Sequence, residues 1–337
     1  IADALGFRLT TMERTEVEAA ETYRRARALW AQRDARSLEA AIGLFQSVID
    51  MDSTFAEGYA GLANAYVLLP YYTNEDAGTA YRSAQEAAER ALALDPLQAE
   101  AHTALGLVLR DYRRDWEGAE AAFQSALRID ATSGTAHQWY AELLTVTGRF
   151  DEAAERISMA IEADPVSLAA RAVEGWILLC AGDDQGAEAA LDYTLRRDPD
   201  FPLGHWWIGQ LWVRRGDFDR AVASLERAVE LSGRESSRML ADLAGAYARR
   251  GDRDEALAIL QEFDDRAQSG AAVSGYEYAI VYAGLGDLEA AYYELRSALR
   301  DRTWLALNLD IDPMLDPVRE HPEYASLVEQ LSLPGDG

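Results

Sequence analysis

The chain has 337 residues, 49% of them hydrophobic and 27% charged, an ordinary globular balance that excludes a disordered or low-complexity polypeptide. Its 58 acidic residues outweigh 32 basic ones, and the resulting net charge of −26 repels phosphate, which argues against nucleic acid or an anionic membrane surface as a partner. The single cysteine, Cys180, leaves no internal disulfide and no cysteine cluster for zinc, and no apolar run reaches the roughly 18–20 residues of a membrane span.

All 32 basic residues are arginine. The chain begins at Ile1 with neither an initiator methionine nor a leader, so it reads as a piece of a longer protein, with residues 1–16 as the tail of a preceding domain or a linker. From 17 to 303 the pattern predicts helix pairs at a nearly constant interval. The first pair, about 17–54, is irregular, with Ala26, Ala41 and Phe45 at its small and large positions. The second carries an insertion: Ala63 to Ala84 is 21 residues, where Ala141 to Ala153 takes 12. The excess around PYYTNEDAG (70–78) is expected to lengthen both helices and the turn. Tyr71 and Tyr72 are expected to pack there, an exposed contact patch being the alternative.

Beyond it the interval is regular. An alanine opens each second helix at Ala84, Ala119, Ala153, Ala187, Ala221, Ala256 and Ala291, in steps of 34 or 35 residues. A small residue lies midway along each first helix: Ala63, Gly106, Ala141, Gly175, Gly209, Ala244 and Ala279. Antiparallel helices approach to about 8 Å only where such small side chains cross. Gly148, Gly182, Gly216, Gly251 and Gly286 end first helices, where a left-handed cap costs glycine least, and acidic residues follow at most second-helix starts, where free N–H groups and the positive dipole end await them. The last segment, 304–337, breaks the period. Tyr324, Leu327, Val328 and Leu331 share one helical face after Pro322, and the reading is a helix that caps the final pair.

Period and small-residue positions together resemble the tetratricopeptide repeat. The resemblance implies an all-α fold, a right-handed superhelix of about eight helix-turn-helix repeats with a C-terminal capping helix. A looser second resemblance attaches to the ends: IADALGFRLTTMERTEVEAAETYRRARALW (1–30) and DIDPMLDPVREHPEYASLVEQL (310–331) are similar to the junction and tail of bacterial multidomain proteins with a TolB-N-terminal-like domain. That likeness implies an upstream winged-helix regulator, Ser/Thr kinase or nucleotide cyclase, on the cytoplasmic or extracytoplasmic side of a membrane-anchored parent.

Chemistry is sparse. His102, His137 and His205 occupy the same place in their repeats, a slot that takes a large aromatic, so they are expected to pack rather than bind metal; His321 is expected to cap the last helix. The pair Asp217 and Asp219 lacks the other positions of a calcium loop, and capping accounts for it. Without lysine there is no Walker loop, kinase lysine or Schiff base, and no serine elbow appears. No catalytic residue, metal ligand or cofactor is assigned, and the chain is expected not to be an enzyme.

In a tetratricopeptide superhelix one side of each first helix lines a concave wall. Mapped here, that wall offers Trp176 and Trp206 as hydrophobic anchors for a bound peptide or helix. Gln138, Glu142 and Gln210 would bond its backbone, Arg110 and Arg214 would hold an acidic group, and Asn64 stands at a clamp-like place. The leading expectation is a protein-interaction module. Self-association of the parent is the alternative, and a small-ligand sensor or enzyme the outsider.

Overall fold

The computed structural model describes residues 11–73, 76–331 and 333. Most of the 1–16 segment expected as the tail of a preceding domain or a linker, together with Asn74, Glu75, Ser332 and the last four residues, lies outside them. In chain order the helices are α1 (Thr11–Trp30), α2 (Ala35–Met51), α3 (Ala56–Tyr66), α4 (Leu69–Tyr72), α5 (Ala77–Leu94), α6 (Ala99–Val108), α7 (Trp116–Ile129), α8 (Gly134–Val146) and α9 (Phe150–Ala163). There follow α10 (Leu168–Ala181), α11 (Asp184–Arg197), α12 (Pro202–Arg214), α13 (Phe218–Leu231), α14 (Ser237–Arg250), α15 (Arg253–Gln268), α16 (Gly275–Leu285), α17 (Leu288–Arg300) and α18 (Tyr324–Leu331). Among the described residues there is no strand. Helices pair as α1/α2, α3/α5, α6/α7 and so on to α16/α17, and each pair stacks on the next as an α-solenoid.

The crossings explain the small residues. Ala63, Ala141, Ala244 and Ala279 are fully buried. A Cβ added at Gly106 would stand 2.6 Å from the Phe123 ring, and one at Gly175 or Gly209 2.6 Å from Leu191 or Leu225 Cγ, so those crossings admit no methyl group. Second helices begin on aspartate caps. Asp34, Asp115, Asp183 and Asp287 accept from the backbone N–H three residues on, at 2.9–3.1 Å, each worth about 1 kcal/mol. Asp217 does the same for Arg220 N at 3.2 Å, which accounts for the acidic pair at 217 and 219.

The five turn glycines all adopt positive φ, from 73° at Gly148 to 106° at Gly251. In units one and three Arg33 and Arg114 take that left-handed place, at φ 58° and 55°. Unit three also holds one residue more than units four to eight, since Gly106 to Ala119 is 13 residues against 12 from Ala141 to Ala153. A π-helical turn at Leu109–Arg113, continuing α6, absorbs the extra residue.

Two expectations need correction. The insertion does not lengthen both helices of unit two: α3 is only 11 residues, and the excess folds into the separate turn α4 ahead of an 18-residue α5. Pro70 at the start of α4 suits a fresh helix better than a continued one. The C-terminal segment is more than a capping helix. α18 packs on α17, with Leu327 and Leu331 buried, but two 3-10 turns, Trp304–Asn308 and Pro313–Glu320, precede it. The first of them reaches back to the π turn of unit three, and Leu307 is buried in the core shared by units one to six.

Candidate functional site: the concave face

The first helices line the inside of the solenoid, and the segment from Thr303 to Asp312 runs across it. Between the two lies a cavity of about 1250 Å³, walled by first-helix side chains, by the α1–α2 turn, by α4 and by Trp304. Its aromatic floor is a ladder: Trp176 stacks on Trp207 at 6.2 Å between centroids, and Trp207 on Trp206 at 5.6 Å. Arg33 lays its guanidinium 3.9 Å over Trp30 at the far end.

Two buried polar networks flank this floor. In the first, the π turn brings the adjacent Arg110 and Asp111 both inward. Arg110 Nε pairs with Asp111 Oδ1 at 2.5 Å, its Nη2 donates to Tyr71 Oη at 2.6 Å, and Tyr71 in turn donates to Asp111 Oδ2 at 2.5 Å. Tyr81 donates to the same Oδ2 at 3.2 Å. In the second, Asp242 accepts from Trp206 Nε1 at 2.6 Å and Gln210 Nε2 at 2.7 Å and pairs with Arg238. Arg238 Nη2 reaches on to Asp312 Oδ2 at 2.5 Å, where Tyr276 donates at 2.8 Å. Burial holds the Tyr71 and Tyr276 hydroxyls protonated well above the ordinary tyrosine range, so both remain donors.

Six of the eight residues named from the sequence line the cavity. Trp176 is half-buried in the ladder. Trp206 and Gln210 also face it, with their polar groups committed to Asp242. Gln138 donates to Glu142 at 3.1 Å, and Glu142 accepts from Arg110 at 3.3 Å, which leaves Arg110 fully partnered inside the protein. Arg214 and Asn64 stand elsewhere. Arg214 pairs with Asp184 at 3.3 Å and bonds the Leu179 carbonyl. Asn64 is buried beneath unit one, where its carbonyl accepts from Trp30 Nε1 at 3.0 Å and its side-chain oxygen has no partner.

Arg238, Asp242, Tyr276 and Asp312 were not assigned to the concave face from the sequence. The register that places Leu203 and Trp206 on the wall of unit six places Arg238 and Tyr276 on that of units seven and eight, so extending the map two units would have found them. The three equivalent histidines share a polar task rather than an aromatic slot. His102, His137 and His205 each bring Nε2 to the carbonyl six residues upstream, at 3.2, 3.1 and 2.8 Å, stapling the turn between repeats. His321 stacks on Tyr292 at 4.4 Å, and its Nδ1 accepts from Glu323 N just ahead of α18.

Family and structural comparisons agree with this geometry. Two sequence models, both described as the tetratricopeptide repeat, match residues 113–177 and 213–275 and residues 76–134 and 173–231. No curated protein matches the chain. Among solved structures, the Cut9–Hcn1 hetero-tetramer of the APC/C is similar with a TM-score of 0.62 and 14% identity, over 91% of this chain and 54% of that one. Yeast Tom70 is similar with a TM-score of 0.51 and 17% identity, over 88% of this chain and 62% of that one. Pseudomonas aeruginosa PilF gives 0.48 and 18%, over 71% of this chain and 98% of that one. The chain thus spans little more than half the length of the first of these and under two thirds of the second. At such identities the likeness is one of fold. With glycine- and alanine-tight crossings at the interval the models detect, and with matches running from 76 to 275, the chain belongs to the tetratricopeptide repeat family.

Proposed function

We propose that the chain is a protein-interaction module that takes a segment of another polypeptide on its concave face, as the docking part of a larger bacterial regulatory or signalling protein. Tetratricopeptide repeats generally mediate protein–protein contacts, and neither polar network needs a ligand to be satisfied. The observation that carries the reading is the Trp176–Trp207–Trp206 ladder on the floor of a cavity of about 1250 Å³. Small-molecule sites run to about 300–1,000 Å³ and place a few convergent polar groups around the ligand. This one is larger, and the polar groups of its two networks are already spent on one another. What it offers is aromatic surface, the usual source of hot-spot energy.

The parent-protein context draws on the resemblance of residues 1–30 and 310–331 to the ends of such regions. The test is selection of random displayed peptides on the immobilised chain, then titration of the selected peptide by tryptophan fluorescence. Trp176→Ala should weaken binding by about 2 kcal/mol, roughly thirtyfold. Peptides bound equally well by the variant would place the site elsewhere.

A further inference from the structure

The segment Thr303–Asp312 is held at both ends by the last repeats. Its start follows α17, with Thr303 N donating to Ala298 O at 3.1 Å. Beyond its end, Met314, Leu315 and Val318 are buried in the core of units six to eight. Between these fixed points Leu305, Ala306 and Leu309 stay in the core of units six to eight, while Trp304 and Leu307 turn toward the opposite end of the array. Trp304 lies on Tyr71 with ring centroids 4.2 Å apart, and the Thr303 carbonyl accepts from Arg114 Nη2 at 3.4 Å. Leu307 enters the core of the first six units, and Asp312 takes the Arg238 and Tyr276 donors.

Stacking does not ask for these contacts. In a solenoid each unit packs only on its neighbours. Tyr71 sits on an insertion that units four to eight do without, and Arg238 already has Asp242. An aromatic platform at one end of the trough and a cation with a hydroxyl at the other are instead what a groove uses to hold a peptide by two side chains. The strap meets them with Trp304 and Asp312, and Leu305, Leu307 and Leu309 between these are buried.

We infer that Thr303–Asp312 is a tethered ligand of the concave face, and that the partner polypeptide carries the same two anchors: an aromatic side chain and, eight residues later, a carboxylate, joined by aliphatic residues. The inference rests on the concave face being the binding surface. A tethered occupant competes at a high effective concentration, so the resting chain binds its partner weakly, and affinity grows as the strap is loosened.

The probe is a fluorescein-labelled peptide of residues 303–312, TWLALNLDID, titrated by fluorescence anisotropy into the full chain and into Trp304→Ala/Asp312→Asn. The double variant, which gives up the anchors of the strap but not those of the groove, should bind at least about tenfold more tightly than the unaltered chain. Peptides carrying alanine for the tryptophan or asparagine for the last aspartate should each lose about tenfold on the variant. A helical variant that fails to bind, or binds all three peptides alike, overturns the inference. An unaltered chain that dimerises by sedimentation while the double variant stays monomeric assigns the groove to the strap of a second copy and overturns a foreign partner.

If the variant loses its helical circular dichroism, hydrogen exchange on the unaltered chain decides. Amides of 304–312 exchanging well ahead of those of α12 support a strap that opens, and equal protection makes it part of the fold and overturns the proposal. Displayed peptides that bind through Trp176 while TWLALNLDID does not would sink the tethered ligand and leave the concave face as the binding surface.

Discussion

Tyr71 and Trp304 stack with centroids 4.2 Å apart, although one belongs to unit two and the other follows unit eight. Because Tyr71 also bridges Arg110 and Asp111, the contact ties the end of the array to the π turn near its beginning. Trp304→Ala should therefore raise hydrogen exchange at Leu107–Arg113, far away in sequence, and cost about 3 kcal/mol in urea unfolding. Trp304→Phe, which keeps a ring, should cost less than half of that. Unchanged exchange in unit three would show the stack to be a passive neighbour.

Unit six separates two reasons for glycine. A Cβ at Gly209 meets Leu225 at 2.6 Å, while at Gly216 it meets nothing within 4 Å but must accept φ of 74°. Gly216→Ala should cost about 1 kcal/mol, the penalty of a left-handed alanine. Gly209→Ala must push α12 and α13 apart and should cost about 2–3 kcal/mol, as overpacking does. Equal losses in a chemical denaturation series would mean the crossing yields more easily than its packing indicates.

The interval of small residues made the solenoid legible, because a close crossing leaves a fixed signature one unit at a time. Trp176 and Trp206 could be placed for the same reason. What could not be read arose where distant units meet. The π turn was announced only by one surplus residue ahead of Ala119, and nothing local shows that Asp312 completes a network with Arg238. Asn64 was misleading because its register suits the wall, while α1 in the irregular first unit covers it. The histidines were legible in position and not in chemistry, since a ring that fills a slot and one that staples a turn recur at the same spacing.

That distinction can be measured. His205 Nε2 stands 2.8 Å from the Pro199 carbonyl, a bond worth about 0.5–1.5 kcal/mol. His205→Phe keeps a ring of similar size and loses the bond, so thermal stability should fall by that amount. A neutral or stabilising phenylalanine would restore the simple aromatic slot.

Acid should loosen the joint between units three and four. Glu120 accepts from Arg149 at 2.7 Å and from the Tyr140 hydroxyl, and the Arg149 bond, ahead of the opposing effect of burial, holds its carboxyl below the usual glutamate range. A carboxyl whose folded pKa is depressed stabilises the fold at pH values above its unfolded pKa, about 4.3, and that contribution fades as pH falls through the folded value. The unaltered chain should therefore lose stability from about pH 5 downward. Glu120→Gln should start less stable at pH 7 and show a shallower acid limb, since it has no proton to take up. Parallel unfolding curves for the two proteins between pH 7 and pH 3, followed by circular dichroism, would show that Arg149 is held in place by Glu152 alone.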